Sequence, residues 1–350
     1  MRILELFAGY GSQALALENL GIDFISDISE IDRYAIQAYD QLHGATHNWG
    51  DITKIDETKL PYYDLITYSS PCQDFSVAGL GKGGDIDSGT RSSLLWQCER
   101  IIRAVKPKYL LMENVKNLVG ERHKHNFIKW LKVLESLGYQ NFWKVLNAKD
   151  YGVPQNRERV FVVSILSGGQ YLFPNPIKLE KRLKDVLEND VDEKYYISSD
   201  KIGDFAIDTN KVSNAIRCGG SGSTDKKHTW DIIKEPQVIN PLAGKTEYGW
   251  HFEQEVYDDN GIARAVKAGG GSGNIPKVMQ VGNYRIRKLT PRECWRLMGV
   301  KDEQFDKLHD LSNTQLYKLA GNSIVVDVLM GIFKNLFLSD EGTSGQLTLL

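Results

Sequence analysis

The fold is decided by the stretch Arg2-Ile3-Leu4-Glu5-Leu6-Phe7-Ala8-Gly9-Tyr10-Gly11-Ser12. Residues 2–7 are an apolar run typical of a β-strand, and residues 13–20 predict a helix directly after the glycines. Because glycine has no Cβ, the backbone of such a turn can approach a ligand closely. Strand, glycine turn and helix are the first unit of a nucleotide-binding α/β domain. The spacing Gly9-x-Gly11-x-x-Ala14 fits the loose dinucleotide fingerprint, which leaves a nicotinamide, S-adenosylmethionine or an ordinary tight turn as alternatives.

The second predicted strand, residues 24–29, ends at an acid. Glu30 lies about twenty positions after the glycines, where a carboxylate can bind the two hydroxyls of an adenosine ribose. Ile31 could then cover one face of the adenine, unless Glu30 is only an N-terminal charge of the helix predicted at residues 33–41. Gly50-Asp51-Ile52 opens a third unit, where an acid and an apolar residue could hold the adenine amino group and its edge.

A cysteine follows the fourth predicted strand in the stretch Thr67-Tyr68-Ser69-Ser70-Pro71-Cys72-Gln73-Asp74-Phe75-Ser76. Residues 64–68 predict a buried strand that ends in a loop. Pro71 fixes its own φ and favours an extended residue before it, so the thiol of Cys72 is well positioned. The thiol is either a nucleophile at a strand end or a buried structural group. The glycine-rich residues 79–84 predict a lid over the substrate or a disordered connection.

Polar residues also follow the fifth predicted strand, residues 108–112. Its tip, Glu113-Asn114-Val115, can reach the same crevice as Cys72. Among apolar neighbours Glu113 would retain its proton more readily, which suits a general acid, although a helix cap or a turn is the alternative. The polar turn at residues 150–159 carries two arginines that form either a surface ion-pair cluster or a substrate clamp.

Beyond residue 167 the periodic pattern gives way to charged and glycine-rich segments. Residues 215–222 and 265–273 echo each other, each with an apolar and basic strand end before a glycine loop. They predict loops that follow a phosphate backbone or enter a groove, with solvated hairpin tips as the alternative. Further on, Thr290-Pro291-Arg292-Glu293 predicts a helix start, preceded by a basic segment that could meet DNA phosphates. Residues 320–323 are expected to open a long apolar helix through Phe337 that folds back onto the N-terminal domain.

Composition is that of a soluble globular protein. The 350 residues suffice for one large domain or two ordinary ones, and no apolar run is long enough to span a bilayer. The N-terminus has the pattern of a strand, not of a signal peptide. The four cysteines lie far apart without metal-ligand spacing, so we expect a cytosolic enzyme with free thiols and no metal. The net charge of −2 argues neither for nor against nucleic acid, because bulk charge does not report basic faces.

Taken together, these motifs resemble those of the cytosine-5 DNA methyltransferases of bacteria and phages. The resemblance rests on eight motifs in the family's order: Phe7-Ala8-Gly9-Tyr10-Gly11, Glu30, Gly50-Asp51-Ile52, Ser70-Pro71-Cys72-Gln73, Glu113-Asn114-Val115, Gln155-Asn156-Arg157-Glu158-Arg159, Arg287-Lys288-Leu289-Thr290-Pro291-Arg292-Glu293 and Gly321-Asn322-Ser323. They cover both ends of the chain and leave residues 168–284 unmatched. Ile31 departs from the family, in which many members carry an aromatic residue against adenine.

The resemblance implies an S-adenosylmethionine-dependent, Rossmann-like doubly wound sheet at residues 1–167. A smaller strand-and-loop target-recognition domain is expected at residues 168–284, and a C-terminal segment at 285–350 whose last helix returns to the catalytic domain. It implies a thiolate attack by Cys72 on carbon 6 of a flipped cytosine, before methylation at carbon 5. Glu113 would supply a proton near ring nitrogen 3, and Arg159 would bind the ring's carbonyl oxygen. Asn114 or Arg157 would order the pocket.

The expected ligands follow from the same resemblance. Cofactor binding is expected from Phe7, Gly9, Gly11, Glu30, Ile31, Asp51, Ile52, Pro71, Asn322 and Ser323, and DNA contacts from Gln73, Ser76, Lys82, Arg217, Lys267 and Arg287. We expect a cytoplasmic monomer that acts on double-stranded DNA, with or without a cognate restriction endonuclease in a restriction-modification system. The alternatives are a nicotinamide or flavin oxidoreductase, a catalytically inactive DNA-binding homologue, and a methyltransferase acting on RNA cytosine.

Overall fold

A seven-stranded sheet forms the centre of the protein. The computed structural model describes residues 1–70, 94–196, 238–239, 256–258, 261–266, 277–280 and 285–338. The strands up to residue 166 are β1 (Arg2–Leu6), β2 (Ile25–Ser29), β3 (His47–Asn48), β4 (Leu65–Tyr68), β5 (Tyr109–Val115), β6 (Tyr139–Asn147), β7 (Gln155–Asn156) and β8 (Glu158–Leu166). All but β7 join one sheet in the order β3-β2-β1-β4-β5-β8-β6. β1 to β5 are parallel, and β8 is antiparallel to both β5 and β6.

Helices cover both faces of this sheet. The described α-helices are α1 (Ser12–Asn19), α2 (Arg33–His43), α3 (Leu95–Val105), α4 (Lys124–Ser136), α5 (Pro291–Arg296), α6 (Asp302–Phe305), α7 (Asn313–Asn322) and α8 (Val326–Phe337). Short 3-10 turns lie at Ile52–Lys54, Glu57–Lys59, Lys116–Val119, Ala148–Tyr151, Leu183–Val186, Glu193–Tyr195 and Asp306–Leu308. The predicted doubly wound α/β architecture is confirmed.

The two faces of the sheet follow from the alternation of side chains along β1. Ile3 packs into an apolar cluster with residues of α1, α2 and α8, whereas Leu4 and Leu6 pack into a second cluster with residues of α3 and α4. This alternation is the period of a strand that is buried on both sides. Glu5 is the polar exception on the first face, and its side chain is fully buried.

Short strands from the second half of the chain form two small sheets. They are β9 (Val238–Ile239), β10 (Val256–Asp258), β11 (Ala263–Arg264), β12 (Lys277–Gln280) and β13 (Arg285–Lys288). Four of them pair in the order β13-β12-β10-β9, while β11 pairs in parallel with β7. The pairing of β11 with β7 connects this region to the residues that precede β8.

The predicted start of α5 is confirmed. Thr290 accepts a hydrogen bond from the amide of Glu293, the Glu293 carboxylate accepts the amide of Thr290, and Pro291 occupies the first helical position. This is a capping box, which pairs amides that a helix start otherwise leaves unpaired. Cys294, Leu297 and Met298 of this segment are fully buried.

One predicted boundary is wrong. Residues 320–323 do not open a helix, because α7 ends at Asn322 and an extended Ser323 separates it from α8. The amide of Val326 then bonds the carbonyl oxygen of Met298 at 2.9 Å, which fixes the start of α8. Residues 313–337 are long and apolar enough by composition to cross a membrane, but 67% of their most apolar window is buried in the core.

Candidate active site

The candidate site lies at the carboxyl ends of the parallel strands. β1 stands between β2 and β4, so the strand order reverses there and leaves a crevice of the kind in which open α/β sheets bind ligands. The predicted glycine turn follows β1, Glu30 follows β2, and residues 69 and 70 follow β4. The structure therefore brings three of the predicted segments to one edge of the sheet.

The turn after β1 has the backbone geometry that its sequence predicts. Gly9 and Gly11 have φ angles of 60° and 82°, and Phe7 has a φ of 58°, which is uncommon for a residue with a side chain. A Cβ on Gly11 would lie 2.5 Å from His43 Nε2, whereas one on Gly9 would meet no atom within 4 Å. Gly9 therefore faces open space, as a cradle for a ligand requires.

Glu30 closes the other side of this cradle. Its carboxylate accepts hydrogen bonds from the amides of Gly9 at 2.9 Å, Ile31 at 2.8 Å and Asp32 at 2.9 Å. The side chain of Asn48 brackets its backbone at 3.1 and 3.0 Å. A carboxylate has about four acceptor positions, so three amides leave capacity for a ribose hydroxyl. The residues present thus fit the adenosine half of S-adenosylmethionine.

The residues expected near adenine differ in how far their side chains are free to contact a ligand. Ile31 is 73% exposed beside Glu30 and offers an apolar face to a ligand. Ile52 is buried. Asp51 caps the next turn by accepting from the amide of Thr53 at 3.0 Å and its hydroxyl at 2.9 Å, and these bonds hold the pKa of Asp51 below its usual value. Asp51 therefore already serves a local structural role.

Glu113 lies inside β5, which β4 separates from β1. The strand runs to Val115 and not only to Met112, because β8 pairs with it along its whole length. Burial raises the pKa of Glu113, and the charges of Arg159 and Arg157 oppose that effect. Arg159 Nε lies 3.1 Å from Glu113 Oε1. A buried carboxyl that retains its proton beside a cation can both donate a proton and stabilise the anion that remains.

Asn114 fixes the end of the neighbouring strand. Its Nδ2 donates to the carbonyl oxygen and the hydroxyl of Ser70, both at 3.3 Å, while its Oδ1 accepts the amide of Val115 at 2.9 Å. Ser70 is the last described residue before the predicted nucleophile. The predicted residues Pro71, Cys72, Gln73, Ser76 and Lys82 lie outside the described residues. Asn114 thus positions the backbone two residues before Cys72.

Arg157 faces the C-terminal segment. Its guanidinium donates to the carbonyl oxygens of Val266 at 2.9 Å, Gly321 at 3.0 Å and Ser323 at 2.7 Å, and it is only 4% exposed. The interpretation of Arg157 as part of a surface ion-pair cluster is wrong. The guanidinium instead holds the end of α7 against the sheet, close enough to Glu113 to act on its pKa.

Two residues near the site, Tyr10 and Gln155, had no role predicted from the sequence. Ser323 Oγ lies 3.0 Å from the hydroxyl of Tyr10, and the Tyr10 ring stacks on Trp295 with centroids 4.4 Å apart. Gln155 is fully buried and donates to the carbonyl oxygen of Leu297 at 2.6 Å. The available signal for Tyr10 was a large aromatic residue between two glycines. The contacts of Tyr10 join the glycine turn to the segment that carries Ser323, in which Asn322 is exposed.

One predicted DNA contact is wrong. Arg287 is fully buried and forms a two-pronged pair with Glu293, with Nη1 2.8 Å from Oε2 and Nη2 2.7 Å from Oε1. A guanidinium enclosed in this way is not available to a DNA phosphate. The pair instead joins β13 to α5. The other predicted basic contacts after residue 200, Arg217 and Lys267, lie outside the described residues.

Known proteins share this sequence pattern and fold. Residues 1–338 match the family described as C-5 cytosine-specific DNA methylase. The type II methyltransferase M2.ScrFI of Lactococcus lactis subsp. cremoris is 40% identical, over 97% of this chain and 99% of that protein. The orphan methyltransferase M.SPRI of Bacillus phage SPR is 31% identical, over 96% and 97%. The solved structure of the Entamoeba histolytica methyltransferase EhMeth is similar in fold, with a TM-score of 0.74 at 18% identity over 96% of this chain and 98% of that one.

Proposed function

We propose a residue-level mechanism from one premise, that the chain belongs to the C-5 cytosine-specific DNA methylases. The protein is a DNA (cytosine-5-)-methyltransferase with the fold of the S-adenosylmethionine-dependent methyltransferases. In the proposed mechanism Cys72 is the nucleophile, Glu113 is the general acid and Arg159 binds the target base. Asn114 and Arg157 position these groups.

The observation that carries this mechanism is the place of Glu113. Its buried carboxyl lies on β5, directly beside the strand whose continuation leads to Cys72. In register, Tyr68 opposes Met112, so the residues that follow each of them run side by side towards the crevice. The hydrogen bonds from Asn114 to Ser70 keep the two segments together. A thiol and a proton donor on such neighbouring strands can act on one base.

The chemistry requires both groups. Carbon 5 of cytosine is a poor nucleophile until Cys72 Sγ bonds to carbon 6 and the ring gains electron density. A soft thiolate suits this step because it attacks readily and leaves readily. Glu113, whose pKa is raised by burial, donates a proton to ring nitrogen 3 as the bond forms, and Arg159 holds the carbonyl oxygen. After methylation a base removes the proton from carbon 5, and the thiolate of Cys72 leaves as the ring double bond returns. The proton on ring nitrogen 3 goes back to the Glu113 carboxylate in the same step.

The cofactor contributes one thing to this scheme. When bound, S-adenosylmethionine supplies an electrophilic methyl group on a sulfonium. Gly9 and Gly11 would admit it to the crevice, Glu30 would bind its ribose hydroxyls, and Ile31 would cover its adenine. Further contacts are proposed for Phe7, Asp51, Ile52, Pro71, Asn322 and Ser323.

The DNA partner and the organisation of the chain complete the proposal. A cytosine inside a duplex cannot reach Cys72, so the base must be flipped out at a cost of a few kcal/mol. Residues 1–167 form the catalytic and cofactor domain, 168–284 the target-recognition domain, and 285–350 a segment that returns to the first. DNA contacts are assigned to Gln73, Ser76, Lys82, Arg217 and Lys267. The protein works as a cytoplasmic monomer, and a cognate endonuclease would share its site without a stable complex.

A trapping experiment tests the nucleophile. Wild-type protein incubated with S-adenosylmethionine and duplex DNA carrying 5-fluorocytosine should form a covalent complex, because fluorine cannot leave as the proton does. Cys72→Ser should form none and should lose methyl transfer while its unfolding midpoint stays unchanged. Cys98→Ala removes another thiol, buried on α3, and should still be trapped. Substantial methyl transfer by Cys72→Ser would refute the assignment. Transfer to tRNA without transfer to duplex DNA would place the substrate in RNA.

A further inference from the structure

An ion pair joins the two pieces of chain that flank the proposed cofactor crevice. Lys318 Nζ on α7 lies 2.5 Å from Asp32 Oδ2, at the start of α2. Asp32 directly follows Glu30 and Ile31, and its amide donates to the Glu30 carboxylate at 2.9 Å. The pair therefore connects the C-terminal segment to the loop that presents Glu30.

The two oxygens of Asp32 have separate partners. Oδ1 caps α2 by accepting the amide of Tyr34 at 3.0 Å, and Oδ2 accepts from Lys318. Burial opposes ionisation of Asp32. The hydrogen bond and charge of Lys318, together with hydrogen bonds from the amides of Tyr34 and Ala35, outweigh it and lower the pKa of the carboxyl below its usual value. The side chains are 27% and 43% exposed, so the pair is partly shielded from solvent. Lys318 thus pairs with the charge of Asp32, whereas an uncharged side-chain oxygen at this position still suffices for the cap.

Lys318 lies one helical turn before the end of α7. Residues four apart occupy the same helix face, so Lys318 and Asn322 face the same way. Directly beyond Asn322, the backbone of Ser323 is held by Arg157 and its hydroxyl by Tyr10. Each proposed cofactor segment is therefore close in the chain to one member of the ion pair. Residues 30–31 directly precede Asp32, and residues 322–323 follow Lys318 by about one helical turn.

We propose that the Asp32–Lys318 pair is a clasp that sets the residence time of S-adenosylmethionine, which makes Lys318 a positioning residue for the cofactor. The inference rests on the proposed roles of Glu30 and Asn322. While the pair is intact, it restrains the loop that carries Glu30 against α7. Breaking the pair removes that restraint without removing any proposed contact to the cofactor, so release should accelerate.

The chain supplies a matched control at the other end of α2. Lys307 Nζ donates to the carbonyl oxygen of Leu42 at 3.3 Å, and Gln41 donates to Asp310 at 3.1 Å. These contacts join the same two pieces of chain, about ten residues along α2 from Asp32. Lys307→Met therefore removes a lysine contact between them and leaves the cofactor end intact.

The test measures cofactor binding to Lys318→Met, Asp32→Asn, their combination and Lys307→Met. A partly exposed pair contributes up to about 1 kcal/mol, so we expect dissociation of S-adenosylmethionine to become about two- to five-fold faster in either single variant. The double variant should add nothing further, because both changes break one interaction. The difference from wild type should shrink at high salt. The apparent KM for the cofactor should rise by more than kcat falls.

The outcomes separate this inference from the mechanism on which it rests. Failure of the wild-type protein to bind S-adenosylmethionine would overturn the proposed cofactor site itself. Normal binding by wild type with unchanged dissociation from Lys318→Met would overturn the clasp alone. An equal acceleration in Lys307→Met would also overturn it, since the effect would then reflect general loosening between α2 and the C-terminal segment.

Discussion

Replacement of Arg287 by methionine should destabilise the protein and leave its DNA contacts unchanged. The side chains of Arg287 and Glu293 are both fully buried, and two hydrogen bonds of 2.7 and 2.8 Å join them. Removing one member of a buried pair costs about 3–5 kcal/mol, because the other charge is left uncompensated. The Glu293 carboxylate would keep the amides of Thr290 and Glu188 at 2.7 and 2.8 Å. We therefore expect a loss near the lower limit, about 3 kcal/mol.

Urea unfolding and DNA binding at several salt concentrations measure the two effects. Arg292→Met is the matched control, because Arg292 lies next to Glu293 on α5 and contacts three acids but is 26% exposed. Its loss should therefore cost less than about 1 kcal/mol. Arg287→Met with Glu293→Gln should recover part of the stability, since no lone charge remains. An arginine that contacts a phosphate contributes about 0.9 to the salt slope of binding. Arg287→Met with near wild-type stability and a reduced salt slope would refute the buried-pair reasoning.

Three further changes have expected outcomes. Gly299→Ala should destabilise strongly in thermal unfolding, because φ is 79° and a Cβ would lie 2.1 Å from Asp327 Oδ2; a midpoint like wild type would contradict this. Burial raises the pKa of Glu5, so folding favours its protonated form, and the cost of ionising it is absent below pH 4.5 and grows as the pH rises above that value. In urea titrations, the stability of Glu5→Gln relative to wild type should therefore increase from pH 5 to pH 8. A stability difference that does not change with pH would contradict this expectation. Glu113→Gln should lower the rate of methyl transfer far more than cofactor affinity, and the wild-type rate should fall as pH rises through the raised pKa of Glu113; the reverse pattern would assign Glu113 to binding.

Local signals in the sequence were enough to predict the parallel half of the sheet. The glycine turn, the acid after β2 and the capping box at Thr290 each depend on residues within a few positions of one another. Such signals report backbone conformations that only certain side chains allow, such as the positive φ of Gly11. The placement of Glu30 beside the amide of Gly9 then follows from the parallel pairing of β1 with β2.

Features that depend on distant partners were not predictable in the same way. β5 extends through Glu113 because β8, more than forty residues later, pairs with it. Arg287 looks like a DNA contact in a basic segment, and only the folded chain shows that Glu293 encloses it. Because the residues after Asn322 are apolar, the pattern predicted one continuous helix there and not the break between α7 and α8. Gly321 and Asn322 were a stop signal for the first helix, but the pattern was interpreted as the start of the second.

The contact between α1 and α8 has a consequence for how the protein is made. Their apolar faces share one buried cluster, although residues 20–325 lie between them in the chain. A ribosome releases α1 long before α8, so one apolar face of the sheet stays exposed until the residues of α8 have been synthesised. During that interval the nascent chain exposes apolar surface, so it should bind chaperones and is prone to aggregation. A pause in synthesis before residue 326 should therefore lower the soluble yield far more than a pause after α8 has emerged from the ribosome.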